Sequence, residues 1–427
     1  MNRPEVVVFW FRRDLRLKNN VGLNAALTSG FPVLPIFIFD ENILGELPKD
    51  DARICFIHKQ LQQINAELVT KKSSLLCLQG KPLEVWETLI TQFNIKKVFV
   101  NRDFEPYALQ RDKEVKKLFV KTEIHVEGFT DHLLVSPTEV LKNDGTPYTV
   151  FTPFSKKWKE VISHKTIEVF TKEGNFFEQN LELPSLKEIG FVSSNIKVEP
   201  ANYEELHNYA LHRDIPSKNS TSFLSPHLRF GTVSIRQIYE EVKEHEPFLN
   251  ELIWREFFIH ILYFFPESVS ANFKPKYDGI PWRNNEEEFQ KWCDGKTGFP
   301  MVDAGMRQLN QTGYMHNRVR MITAGFLCKH LLIDWRWGEA YFAKKLLDFE
   351  LASNVGNWQW AAGTGCDAAP YFRVFNPSEQ QRKFDQQEKY IRKWIPEFGT
   401  NLYPKPMVDH KFARERAIET YKNALNE

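Results

Sequence analysis

Val6-Val7-Val8-Phe9-Trp10-Phe11 is an unbroken apolar run near the start of the chain. A strand exposed on one face alternates apolar and polar residues; a run with no alternation predicts a strand covered on both faces, as in a parallel sheet. Val33–Phe39 (VLPIFIF), Leu75–Leu78 (LLCL) and Val98–Val100 (VFV) repeat the pattern, and Ile124–Val126 repeats it more weakly. Helical stretches lie between these runs. Asp51–Val69 sets Ile54, Ile57, Leu61, Ile64 and Leu68 at helical spacing, and Pro82–Phe93 opens on a proline suited to a first turn. Strand and helix in alternation predict a doubly wound α/β sheet.

Downstream the pattern changes. Residues 165–200 mix charges, glycine and proline without periodicity. From about Ala201 onward long helical patterns take over, Leu249–Phe265 and Met301–Leu309 among them, with stops at Pro266, Pro281, Pro300 and Gly313. The expected organisation is an α/β domain over 1–130, an interdomain connector over 131–200 and a larger all-α domain over 201–427. A chain of 427 residues exceeds what one hydrophobic core usually serves.

Composition excludes several classes. No run of about 18 apolar residues is present, so no membrane helix is expected. The opening Met1-Asn2-Arg3-Pro4-Glu5 has no signal-peptide character, and the expectation is a cytoplasmic protein. The 5 cysteines are scattered without a CxxC, which gives neither a disulfide framework nor a metal site. Net charge is only +1, so any contact with nucleic acid has to be a local patch. No GxGxxG follows a strand. Gly295-Lys296-Thr297 lacks the earlier glycine of a P-loop, because Gln290 stands there.

Aromatic residues, 14% of the chain, are concentrated: Trp282, Trp292, Trp335, Trp337, Trp358 and Trp360 lie in one stretch. That is a thick helical core, a set of stacking platforms, or a redox relay. Asn219–Pro226 packs hydroxyl residues before an apolar helix, either a simple cap or an anion site. Glu251, Trp254 and Arg255 share a helix face. His316–Met321 is a polar run in an otherwise apolar helix. Leu347–Trp360 brings carboxylates, amides, a glycine and two indoles together. Residue chemistry goes as far as a helical domain with an aromatic, amide-rich pocket for a planar ligand.

These segments, in this order, resemble the photolyase/cryptochrome family, most closely its class I cyclobutane pyrimidine dimer photolyases. The resemblance rests on Phe9–Arg16 (FWFRRDLR), Thr221–Pro226, Glu251–Phe257 (ELIWREF), Lys296–Pro300 with Asp303-Ala304, Met315–Met321, Asn357–Gly365 (NWQWAAGTG) and Asp367–Arg373. It spans about residue 5 to Phe398. It implies FAD in the helical domain and damaged DNA as partner, with excited reduced flavin passing an electron to the dimer. It implies no membrane association and no protein partner, and the expectation is a monomer.

Carried over position by position, the resemblance assigns Tyr209, Thr221, Ser222, Leu224, Ser225, Arg255, Arg320, Asp348, Glu350, Ser353 and Asn354 to the cofactor. It assigns Glu251, Trp254, Asn317, Met321 and Trp360 to the lesion. Trp282, Trp335 and Trp358 become an electron relay, and Arg213, Arg318, Arg373 and Lys383 contacts to DNA phosphates. An antenna pigment in the α/β domain is also implied. Ala108 stands where folate-binding members carry glutamate, which argues against a folate and leaves a deazaflavin, another flavin or no second pigment. Two branches compete with dimer repair: a cryptochrome-type blue-light photoreceptor and a (6-4) photoproduct photolyase. The retained lesion residues argue against the first. Met321 argues against the second, whose members carry histidine there.

Overall fold

A computed structural model describes residues 3–170, 174–218 and 220–425. Asn219, which opens the hydroxyl-rich segment, lies outside the described residues. The chain forms two compact units.

The first unit is built on a five-stranded sheet. Its strands are β1 (Glu5–Phe11), β2 (Val33–Asp40), β3 (Leu76–Gly80), β4 (Asn94–Asn101) and β5 (His125–Phe129). The order is β3-β2-β1-β4-β5 and every pairing is parallel. Crossovers are made by α1 (Val21–Leu27), α2 (Ala52–Val69), α3 (Pro82–Gln92) and α4 (Pro106–Lys121). Successive residues of a strand point to opposite faces, and the two cores show it. Val7, Phe9 and Phe11 join Phe37, Leu61 and Ile64 on one side. Val6, Val8 and Trp10 join Ile36, Trp86 and Phe119 on the other. Apolar runs without alternation are thus required by a sheet with helices on both faces. The switch point of a doubly wound sheet, here between β1 and β4, holds a dense set of ion pairs: Arg12 with Asp112 at 2.6 Å and Arg13 with Asp103 at 3.2 Å.

The expected boundaries need correction. Residues 131–140, 157–200 and 224–244 belong to the first unit, and 141–156 to the second, so 131–200 is not a free-standing connector. The causes are long-range. Asp131 is fully buried and pairs with Arg16 at 2.7 Å and Arg236 at 2.8 Å. Burial alone would raise its pKa; the two guanidiniums overcome that and hold it at about 2. Phe176, Ile189 and Phe191 complete the core against β2 and α2. A further helix, α5 (Phe151–Ser163), was not among the expected elements, although Phe154, Trp158 and Ile162 recur at helical spacing on its buried face.

The second unit is helical. The elements that matter for its cleft are α6 (Tyr209–His212), α7 (Glu246–Phe264), α8 (Pro300–Thr312), α9 (Asn317–Gly325), α10 (Trp335–Lys345), α11 (Leu351–Ala362) and α12 (His410–Ala424). Its core gathers Trp292, Trp335, Phe342 and Trp358. Gly338 makes the approach of α10 to α11 feasible: a Cβ there would lie 2.1 Å from the Trp358 ring. The Lys296–Asp303 motif is architectural. Asp303 accepts from Thr297 N and Gly298 N at 2.8 and 2.9 Å and from Tyr403 Oη at 2.6 Å, which fixes the turn before α8. Among the described residues no helix is long and apolar enough to cross a membrane.

Candidate functional site

α9, α10 and α11 converge on one cleft of about 620 Å³ of non-atom space, part of it open to solvent. Asn317, Arg320, Met321, Asp348, Glu350, Ser353, Asn354, Trp358 and Trp360 all line it. Residues expected from separate sequence segments therefore meet on one surface. Each is there for a local reason. His316 is the N-cap of α9: its ring nitrogen accepts from Arg318 N at 3.2 Å, which places Asn317 in the first turn at the cleft mouth. Burial keeps that imidazole neutral, its pKa pulled down to about 4. The αL glycine Gly363 ends α11 just after Trp360.

Polar groups of the cleft are held by named partners. Arg320 Nη2 meets Asp348 Oδ2 at 2.9 Å, and its Nε donates to Met315 O at 2.8 Å. Arg255 reaches from α7 to Glu350 at 3.0 Å, both side chains nearly buried, and Ser353 Oγ donates to Glu350 at 3.4 Å. Asn354 Nδ2 donates to Glu339 Oε1 at 2.9 Å and Glu339 O at 3.1 Å. With the amide nitrogen so committed, the carboxamide oxygen is the group left to serve the cleft. Ala324, Phe342, Leu346, Phe349 and Ala361 supply apolar surface between these groups. A guanidinium–carboxylate pair, an oriented amide and aromatic walls suit a planar heterocycle with polar edges. The donor set thus fits the ring of a flavin.

A second cluster sits on α6 and α7. Arg213 pairs with Glu251 at 2.9 Å, and the Tyr209 hydroxyl donates to the same carboxylate. Burial pushes the Glu251 carboxyl above its usual range, against the opposing pull of Arg213 and Tyr209. Trp254 is half-buried, with Phe151 stacked on it at 3.6 Å and an interplanar angle of 2°. One face of this indole, expected to meet a lesion, is therefore already covered by the chain. Arg318 is tied to Asp214 at 2.5 Å, while Arg373 and Lys383 are exposed.

The three tryptophans expected to form a relay differ in depth. Trp358 lines the cleft and packs on Phe342 at 5.0 Å. Trp335 is buried, its indole N–H on Asn272 Oδ1 at 2.9 Å. Trp282 is half-buried against Tyr421 at 6.0 Å. Thr221, Ser222, Leu224 and Ser225 are not among the cleft-lining residues. Ser222 O accepts from Asn202 N at 2.7 Å, Phe223 takes φ +51°, and Leu224 opens a short helix assigned to the first unit. Ala108 is buried in the first turn of α4.

Sequence reasoning missed Glu339, Asp214 and Phe151. None carries a local signal. Each acts on a residue in another element: Asp214 lies 104 positions from Arg318, and Glu339 lies 15 from Asn354, on the preceding helix.

Two family models match the chain: "DNA photolyase" over residues 7–171 and "FAD binding domain of DNA photolyase" over residues 248–402. A deoxyribodipyrimidine photo-lyase from Synechococcus is 35% identical, covering 98% of this chain and 96% of its own length. A bacterial class III photolyase from Agrobacterium tumefaciens superposes with TM-score 0.89 at 33% identity, covering 100% and 98% of the two chains. An archaeal photolyase from Sulfolobus tokodaii, solved with two FAD molecules, gives 0.87 at 36% identity, covering 98% and 100%. With sequence, fold and cleft in agreement, the chain belongs to the DNA photolyase family, as an FAD-binding enzyme of the deoxyribodipyrimidine photo-lyase kind.

Proposed function

We propose that this protein repairs cyclobutane pyrimidine dimers in DNA by light-driven electron transfer. The observation that carries the reading is the cleft. It sets Arg320, Asp348 and Asn354, a donor and two acceptors suited to the polar edge of a flavin, beside Asn317, Met321 and Trp360. FAD, when reduced and excited by light, supplies the electron that splits the dimer; the chain positions and tunes.

Arg320, Asp348 and Asn354 hold the ring edge, and the Arg255–Glu350 pair with Ser353 braces the wall behind it. Tyr209, Thr221 and Ser222 serve the rest of the cofactor. Asn317 and Glu251 hydrogen-bond the damaged bases. Burial raises the Glu251 pKa against the pull of Arg213 and Tyr209, which lowers the cost of the protonated form that donates to a base carbonyl. Trp360 offers a stacking wall and Met321 an apolar one, while Trp254 borders the lesion backed by Phe151. The dimer leaves the duplex to reach this depth, photolyases being among the enzymes for which base extrusion is the rule. Arg213, Arg318, Arg373 and Lys383 contact phosphates, which gives affinity without sequence preference. Trp358, Trp335 and Trp282 return electrons to an oxidised flavin. A second flavin is favoured over a folate as antenna: the buried Ala108 offers a folate no carboxylate, and the Sulfolobus tokodaii photolyase holds two FAD molecules.

The test is illumination of the reduced protein with an oligonucleotide carrying one thymine dimer, and in parallel one carrying a (6-4) photoproduct. Loss of the dimer alone is expected. Dimer levels unchanged by light would refute the reading.

A further inference from the structure

Two arginines assigned to DNA phosphates are already engaged by carboxylates of the chain. Arg213 bonds Glu251 at 2.9 Å. The next residue, Asp214, reaches elsewhere: its Oδ1 accepts from Arg318 Nε at 3.1 Å and Nη2 at 2.5 Å. The Arg318 guanidinium also lies over the Phe384 ring at 4.4 Å, so it is held from two sides. Asp214 is 47% exposed and Arg318 21%, so the pair stands at the surface within reach of a ligand. Two guanidinium nitrogens on one oxyanion is also how arginine grips a phosphate.

We propose that Asp214 is a positioning residue that occupies the phosphate site of Arg318 and thereby holds down phosphate-driven binding to DNA, leaving the contacts inside the cleft to supply the affinity for a dimer. The inference rests on the reading of the cleft as a lesion site. Affinity for undamaged duplex comes almost wholly from neutralising phosphates and releasing their counterions. A phosphate that must displace Asp214 exchanges one anion for another at Arg318, and that contact gains little. A lesion-bearing strand gains separately, from the stacking and hydrogen bonds of the dimer inside the cleft, and these offset the displacement. With a net charge of only +1, the protein has little general attraction to DNA. Masking one cation of a small patch therefore weighs more than it would on a basic protein. A pair whose carboxylate is 47% exposed is held less firmly than a buried one and opens when a better oxyanion arrives.

The experiment uses the flavin-loaded full chain in the dark. Binding is measured to an undamaged duplex and to the same duplex with one thymine dimer, across a series of salt concentrations. Asp214→Asn is expected to bind the undamaged duplex severalfold more tightly at low salt. Its log–log salt slope should steepen by about 0.9, the value for one added phosphate contact. Affinity for the dimer duplex should rise by a similar factor, because both duplexes meet Arg318 through a phosphate. Asp214→Glu should keep the parent behaviour, and adding Arg318→Gln to Asp214→Asn should abolish the gain. Unchanged or weaker binding of undamaged DNA by Asp214→Asn, or a gain that persists without Arg318, overturns the proposal. A parent protein that does not prefer the dimer duplex overturns the lesion-site reading first, and this inference with it.

Discussion

Replacing Asp348 by alanine separates the stability of the cleft from its capacity for FAD. The carboxylate meets Arg320 at 2.9 Å, with side-chain exposures of 7% for Asp348 and 28% for Arg320. Arg320 stays in place without its partner, because Nε remains on Met315 O at 2.8 Å. In the flavin-free protein water reaches the guanidinium, and the loss of stability is about 1 kcal/mol or less. A seated flavin covers it. Stranding a fully buried charge costs about 3–5 kcal/mol; for a group that begins 28% exposed, about 2 kcal/mol is the fair share. That larger loss in the loaded state appears as weaker FAD binding, by about thirtyfold. The assay is FAD titration followed by fluorescence, paired with thermal melts with and without FAD. Asp348→Ala should melt close to the parent without FAD and gain far less from it. Asp348→Ala/Arg320→Met should recover the flavin-free melt and still bind FAD poorly. An Asp348→Ala protein with parental FAD affinity would refute the reasoning.

Other outcomes follow from the same geometry. Trp358→Phe should block photoreduction of oxidised flavin, seen as a persistent flavin absorption band under blue light, while protein reduced chemically beforehand still repairs. Trp360→Ala should weaken dimer binding by roughly 1–3 kcal/mol, one lost stack, with little effect on undamaged DNA; equal loss on both would place the lesion elsewhere. His316 has its pKa depressed to about 4 from the ordinary 6.5, so the unfolded chain binds its proton first. Its contribution to stability is full above about pH 6.5 and is lost as the pH falls towards 4. His316→Asn keeps an N-cap and should flatten that part of the stability profile in denaturant titrations.

The centre of the sheet was legible because β1 and β2 are covered on both faces: Val6–Phe11 had no polar residue to confuse the period. The long helices were legible through their prolines and αL glycines. The unit boundaries were not, since Asp131 is joined to Arg236 by an ion pair that no local pattern announces. The cleft was half legible. Asn317, Arg320, Asp348 and Asn354 stand in dense polar segments and fall together. Glu339, which orients Asn354, is one acid on an ordinary helix, and Phe151, which backs Trp254, opens a helix whose periodic face of Phe154, Trp158 and Ile162 does not name its distant partner. The hydroxyl-rich turn at Thr221 was legible as a motif. Its geometry was not, because Phe223 takes a left-handed conformation that nothing in the residue type foretells.

The account rests on a flavin ring sitting between α9 and α11 with the lesion side open. A crystal structure of the FAD-loaded protein tests it directly. Density for the isoalloxazine is predicted against Arg320, Asp348 and Asn354, with Asn317 and Trp360 still facing solvent. Flavin density outside this cleft, or a cleft closed by its own side chains while the flavin binds elsewhere, would contradict it.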